Sequence, residues 1–288
     1  MFVKSLINNR NWLLLLISLF ISFFITKGFL TLNSEDYYKK EGDHLKYYSQ
    51  LSELKVFTLK EAATIMKNKE NASVMLNNMM RKGLVKRVKR DMYYTVDSNS
   101  LDSVPNKYII ASNINNNSFV SLKSAFEYYG LLEDKENIVY TSSLNRFDNF
   151  SFCNNLFKYY QTNTLVQVEK KNDINLPTIE RTIVDNINML GKVMTLNELL
   201  KCLDLLESIM IDRIKEMLTV YNKDVLYRKV GYILSFYKDK LKIDDSFFEF
   251  CLEKSKVKNM AFLSSSSRNN TTYNKEWGLY VPRYETNE

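Results

Sequence analysis

The apolar residues of the chain fall into three regimes. Trp12 to Ile25 reads WLLLLISLFISFFI, broken only by two serines, with Lys4 and Arg10 before it and Lys27 after it. That run alone is short of a membrane span, and extension to Leu32 with Lys27 snorkelling reaches the length of one. Residues 12–32 are therefore a candidate transmembrane segment within an N-terminal extension, 1–44, whose polar end from Asn33 to Asp43 reads as a linker.

From Lys46 the pattern shortens. Tyr47, Leu51 and Leu54 share one helical face, and Val56-Phe57 reads as extended. Thr58-Leu-Lys-Glu61 is a capping box that starts a helix through Met66. Asn71 is the expected N-cap of the next helix, which ends before Gly83 in a left-handed cap. Strands Leu84 to Val88 and Met92 to Val96 follow, joined by Lys89-Arg90-Asp91. Helix, short helix, turn, helix and basic hairpin is the order of a winged helix-turn-helix, here over 45–98.

The third regime, 99–288, mixes both periodicities. Helices are expected from Pro105 to Ala111 and Ser121 to Tyr129, and strands at Ile138 to Thr141, Leu156 to Tyr160 and Leu165 to Val168. Helices then dominate: Thr178 to Leu190, Leu196 to Leu206 behind the capping box Thr195-Leu-Asn-Glu198, Ile211 to Tyr221, Val225 to Lys240 and Asp245 to Glu253. A strand from Trp277 to Val281 closes the pattern. The predicted fold class is α+β, mostly helical: an N-terminal winged helix-turn-helix and a larger mixed α/β C-terminal domain.

Charge sharpens this division. The chain of 288 residues carries 40 Lys and Arg against 33 Asp and Glu. Between Leu45 and Val96 stand eleven cations and four acids, so the whole net charge of +7 resides in that segment and the remainder balances. An excess confined to one small module is the footprint of a polyanion-binding domain.

What is missing narrows the chemistry. The single histidine, His44, precedes the patterned region, which argues against Ser-His-Asp and Cys-His catalysis and against His-ligated metals. Cys153, Cys202 and Cys251 lie far from any CxxC spacing; a reduced compartment and no zinc site are expected, with Cys202 and Cys251 as core residues. The seven glycines are too widely spaced for a P-loop or a dinucleotide fingerprint. No catalytic residue, metal or cofactor is expected.

A helical wheel of Ala72 to Lys82 places Ala72, Met75, Leu76, Met79 and Met80 on one side and Ser73, Val74, Asn77, Asn78 and Arg81 on the other. The second group suits a major groove: Asn bonds adenine, Arg forks onto guanine, and Val meets a thymine methyl. Arg81, Lys82, Lys86, Arg87, Lys89 and Arg90 put six cations within ten residues, with Lys89 and Arg90 at the hairpin tip. With Lys60, the wing residues Lys82, Lys86, Arg87, Lys89 and Arg90 are the expected phosphate contacts. Double-stranded DNA is the partner these features select.

Together with stretches further along the chain, these residues resemble the AbiEi family of type IV toxin-antitoxin antitoxins, over about Lys46 to Pro282. The likeness runs through Tyr47-Tyr48, Phe57-Thr58-Leu59-Lys60, Arg81-Lys82-Gly83-Leu84-Val85-Lys86 and Ser124-Ala125-Phe126-Glu127-Tyr128-Tyr129-Gly130-Leu131. It continues through Ser143, Arg146-Phe147, Glu180-Arg181-Thr182, Asp185, Gly231-Tyr232 and Tyr273-Asn274-Lys275-Glu276-Trp277, and the order of these stretches carries it. The resemblance implies a repressor that binds inverted repeats in its own promoter, self-associating on DNA. It also implies a C-terminal domain that counteracts a nucleotidyltransferase-like toxin without forming a stable complex. Cytoplasmic localisation goes with that role.

Several alternatives stay open. Arg181 and Asp185, four apart, are expected to pair on a helix surface, and Glu180 with Asp185 is a weaker reading as a catalytic pair. Tyr227, Arg228, Lys229 and Tyr232 form either a contact surface or the flank of a packed helix. Asp148 with Glu169-Lys170-Lys171 loosely matches a metal-dependent nuclease. A membrane-anchored regulator, spanning through 12–32, is a third class. No Met occurs between Met1 and Met66, and the resembling family begins near Lys46; Leu45, as an internal UUG start, competes with an anchor and a cleaved signal.

Overall fold

The computed structural model of the protein describes residues 46–96, 104–133, 136–255, 259–265 and 270–283. The candidate membrane segment, the linker and the Leu45 start lie outside the described residues. Among the described residues no helix is long and apolar enough to cross a membrane. The architecture is mixed α/β, and the chain divides into two compact units between Ser103 and Val104.

The first unit contains helix α1 (46–52), strand β1 (Val56–Thr58), helices α2 (Leu59–Ile65) and α3 (Lys69–Arg81), and strands β2 (Val85–Lys89) and β3 (Met92–Thr95). The Thr58 box forms as expected: the Glu61 amide donates to Thr58 Oγ1 at 3.2 Å and the Thr58 amide to Glu61 Oε2 at 2.7 Å. Helix α3 starts earlier than its sequence suggests, with Asn68 as cap in place of Asn71. Lys67 takes a left-handed φ of 57°, which turns the chain so that Asn68 Oδ1 accepts from the amides of Glu70 and Asn71. Gly83 ends the helix at φ +74°, with the Gly83 amide on Met80 O and the Leu84 amide on Met79 O, a Schellman pair. The antiparallel sheet β1-β3-β2 closes over Leu51, Phe57, Ala62, Leu76, Met79 and Val85.

The second unit opens with helix α4 (Lys107–Ser112), strand β4 (Phe119–Val120), helix α5 (Leu122–Tyr128) and strands β5 (Ile138–Ser143), β6 (Phe150–Phe152) and β7 (Asn155–Gln161). The sheet order is β4-β5-β7-β6, with β5 and β7 parallel. The strand expected at Leu165 to Val168 is instead the approach to a hairpin, β8 (Val168–Lys171) and β9 (Ile174–Pro177). Its turn residues Asn172 and Asp173 both have positive φ, 49° and 66°, as a two-residue primed turn requires.

Helices α6 (Ile179–Asn188), α7 (Leu196–Asp204), α8 (Ile211–Tyr221), α9 (Asp224–Ser235) and α10 (Asp245–Lys254) follow, then strands β10 (Ala261–Phe262), β11 (Thr271–Asn274) and β12 (Leu279–Pro282). The apolar stripes of these helices meet in one core that includes Ile183, Leu203, Met217, Leu226, Phe247 and Trp277. Cys202 and Cys251 lie in it, and burial pushes both thiols up to about 12, whereas Cys153 is exposed. Because the thiolate is the reacting species, native protein at pH 8 is expected to titrate one thiol with a disulfide reagent and three after denaturation. Three fast thiols in the native protein would contradict this core.

The Arg181–Asp185 pair is not on the surface. Arg181 is wholly buried, its Nε donating to Asp185 Oδ2 at 3.3 Å and its other nitrogens to Val166 O, Thr164 O and Thr162 Oγ1. The four-residue spacing placed the pair on the helix surface, but residues 162–166 cover that side of α6 and supply the acceptors that make a buried guanidinium tolerable. Tyr227, Arg228 and Tyr232 are likewise buried, which removes the reading of a contact surface there and leaves a packed helix. Beside them Gly231 lets Trp277 lie against the α9 backbone: a Cβ at 231 would stand 2.1 Å from the indole ring. Gly231→Ala is accordingly expected to destabilise by roughly 1–3 kcal/mol despite its better helix propensity. Urea unfolding of the full chain measures this, and an unchanged midpoint would contradict the contact.

Candidate nucleic-acid interface

Helix α3 presents a straight exposed row. Its core side, Ala72, Leu76 and Met79, packs into the first unit, which turns Ser73, Val74, Asn77 and Arg81 to solvent. Val74 is 61% exposed, a large apolar side chain that the other described residues leave uncovered. Asn78 is half-buried and stands at the margin of the row. The face carries no acid beyond the first-turn Glu70.

The cations behind it come from three places. Lys60 is exposed on α2, and Lys82 is exposed at the C-cap of α3. On β2 the ladder shifts register between Arg87 and Lys89, so that the outward positions are the adjacent pair Lys86 and Arg87 while Val85 and Val88 face inward. A bulge of this kind re-aims side chains that strict alternation would send to opposite faces. Arg87 lies 5.5 Å from the centre of the Tyr93 ring, which props the guanidinium on the hairpin surface. Arg90 stands at the tip with its side chain 96% exposed, and its 3.8 Å pair with Asp91 is fully solvated and of little energetic consequence. Lys89 is half-buried beside it.

The sequence-expected residues therefore occupy one unit: the groove-reading set on α3, the phosphate set on α2, the α3 end and the hairpin. Sequence reasoning missed Tyr93 as the support of Arg87, since that contact depends on the β2–β3 register. The residues of the nuclease alternative are placed differently. Glu169 lies 3.6 Å from Arg213 and 3.8 Å from Lys171, and among the described residues no group of three or more His, Cys, Asp or Glu is arranged to hold a metal ion. Glu180 and Asp185 do not converge either: Glu180 accepts from the Met210 amide, and Asp185 accepts from Tyr221 and Arg181.

No family model matches the chain, and no curated protein matches it. Among solved structures, the crystal structure of the RV2827C protein from Mycobacterium tuberculosis is similar at 11% identity with a TM-score of 0.48, over 78% of this chain and 86% of that one.

Proposed function

We propose that the protein is a DNA-binding antitoxin and autorepressor of the AbiEi type, with residues 45–98 as a winged helix-turn-helix and 99–288 counteracting a nucleotidyltransferase-like toxin. The observation that carries the DNA-binding half is the juxtaposition on α3 and the β2–β3 hairpin. An exposed row on α3, Ser73, Val74, Asn77 and Arg81, adjoins a cation-bearing hairpin whose tip residue Arg90 is exposed to solvent. Asn amides, the Arg81 guanidinium and a methyl-bearing side chain read base edges, while the Lys and Arg of the hairpin hold phosphates. The toxin-directed half rests on the resemblance in residue order. In this reading the protein binds and does not cleave, acts in the cytoplasm, occupies inverted repeats as more than one copy, and forms no lasting complex with the toxin.

The test uses the full chain beside the nucleotidyltransferase-like product of an adjacent reading frame. A variant with Lys86, Arg87, Lys89 and Arg90 changed to Gln is expected to lose repression of the upstream promoter while still protecting cells from that product. Loss of both activities in a folded variant would show that the two units do not act separately, and duplex DNA cleaved in Mg²⁺ would favour the nuclease.

A further inference from the structure

Apart from the basic face of the first unit, the second unit contains a polar cavity of about 290 Å³ between the end of β7, the C-terminal part of α6 and the α8–α9 turn. Its polar lining includes Thr162, Asn163, Asp185, Asn188, Tyr221 and Lys223. We propose that this cavity binds a small hydroxylated organic anion, a carboxylate or phosphate head on a body of about five or six carbons.

The charge of the head is set by the lining. Asp185 is 8% exposed and accepts from the Tyr221 hydroxyl on Oδ1 and from Arg181 Nε on Oδ2. Arg181 therefore cancels the carboxylate. Burial and the neighbouring Asp185 push the Tyr221 hydroxyl up, so it stays protonated and neutral. The wall's one carboxylate, Asp185, feels two cations, Arg181 and Lys223, and the charge left over is that of the exposed Lys223. It lies over the Tyr221 ring at 5.7 Å, and no described carboxylate stands within ion-pair distance of it. A cation held beside a neutralised floor selects a negative ligand.

The body is set by size and polarity. Next to Lys223 the wall offers the side-chain amides of Gln161, Asn163 and Asn188, with Leu122 and Met189 as its apolar part; the Ser142 and Thr162 hydroxyls of the lining are already bonded to Ser121 and to Thr164 and Arg181. Such a wall suits a chain of hydroxyl groups, each able to donate and to accept. The volume is at the small end of ligand sites and holds about ten to fifteen non-hydrogen atoms. The backbone at the lip gives a second observation. Leu122, buried at 4%, is held at φ +52°, in the left-handed region that branched residues rarely adopt. Strain of this kind persists where the surroundings over-determine it, and it clusters at ligand sites. Here Ser121, the N-cap of α5, makes no capping bond and instead accepts from the Ser142 hydroxyl at 2.8 Å.

The experiment is calorimetric titration and thermal unfolding of the full chain with a panel of five- and six-carbon sugar phosphates and sugar acids. Ribose serves as the uncharged body and inorganic phosphate as the bare head. At least one panel member is expected to bind with a submillimolar Kd and to raise Tm, with ribose and inorganic phosphate at least about tenfold weaker; phosphates against acids identifies the head. Lys223→Met should weaken the best ligand about tenfold or more, the loss expected for a hydrogen bond to a charged group. Asn163→Ala, at an exposed position, should weaken it severalfold without shifting the unliganded Tm. Both variants should bind DNA as the parent does, which separates failure here from failure of the DNA-binding reading. No binding across the panel, binding that ignores both substitutions, or inorganic phosphate as strong as the best member would overturn the proposal.

Discussion

Changing Lys86, Arg87, Lys89 and Arg90 together to Gln is expected to lower the affinity of the full chain for duplex DNA by roughly three orders of magnitude near 0.1 M salt. Each neutralised phosphate contact contributes about 0.9 to the slope of log K against log salt, so four losses flatten that slope by about three to four units. The loss should be nearly the same on every sequence, because phosphates carry no base information. Lys86, Arg87 and Arg90 are solvent-exposed, Arg87 rests on Tyr93, and Lys89 lies at the hairpin end, so removing their charges leaves the core of the first unit untouched. Fluorescence anisotropy over a salt series measures both quantities. An unchanged slope would take the hairpin out of the interface.

The second large effect concerns stability. Arg181 is wholly buried, packs 4.7 Å from the Phe119 ring centre and donates to Asp185, Val166, Thr164 and Thr162. Arg181→Ala takes a donor from each of four acceptors and leaves Asp185 a buried carboxylate bonded only by the Tyr221 hydroxyl, with Lys223 as the remaining cation acting on it. Removing one partner of a buried pair costs about 3–5 kcal/mol, which for a unit of this size is a fall in Tm on the order of 10 °C. Lys in its place should recover little, since one ammonium cannot span the acceptors that the planar guanidinium reaches. A loss below about 1 kcal/mol in thermal or urea unfolding would show that the network is not a structural centre.

Capping signals within one helical turn were legible except at Asn68, whereas non-glycine left-handed turns and tertiary contacts were not. The boxes Thr58/Glu61 and Thr195/Glu198, the Gly83 cap and the limits of α8 depend on residues within one turn of each other, and all form as the sequence suggests. The choice between Asn68 and Asn71 turned on the left-handed Lys67, which side-chain identity does not announce. The hairpin β8–β9 was hidden because β8 is polar and exposed, leaving Asn172-Asp173 as its one signal. Arg181 was misplaced because its acceptors lie fifteen to nineteen residues away in sequence.

The candidate interface was legible to the same degree. Its cations and the outward row of α3 are contiguous in sequence. The bulge that sets Lys86 beside Arg87, the Tyr93 support and the half-burial of Asn78 came only with the tertiary arrangement. The cavity around Asp185 and Lys223 left no trace in the sequence, because strand end, helix and turn each contribute isolated residues to it.

Sequence-selective binding by α3 is tested most directly by the ratio of affinities for the chain's own upstream promoter and for random duplex DNA. Asn77→Ala and Arg81→Ala are each expected to cost about 1–3 kcal/mol on the promoter and little on random DNA, collapsing the ratio. Equal losses on both, or a parent chain that does not distinguish the two DNAs, would contradict it.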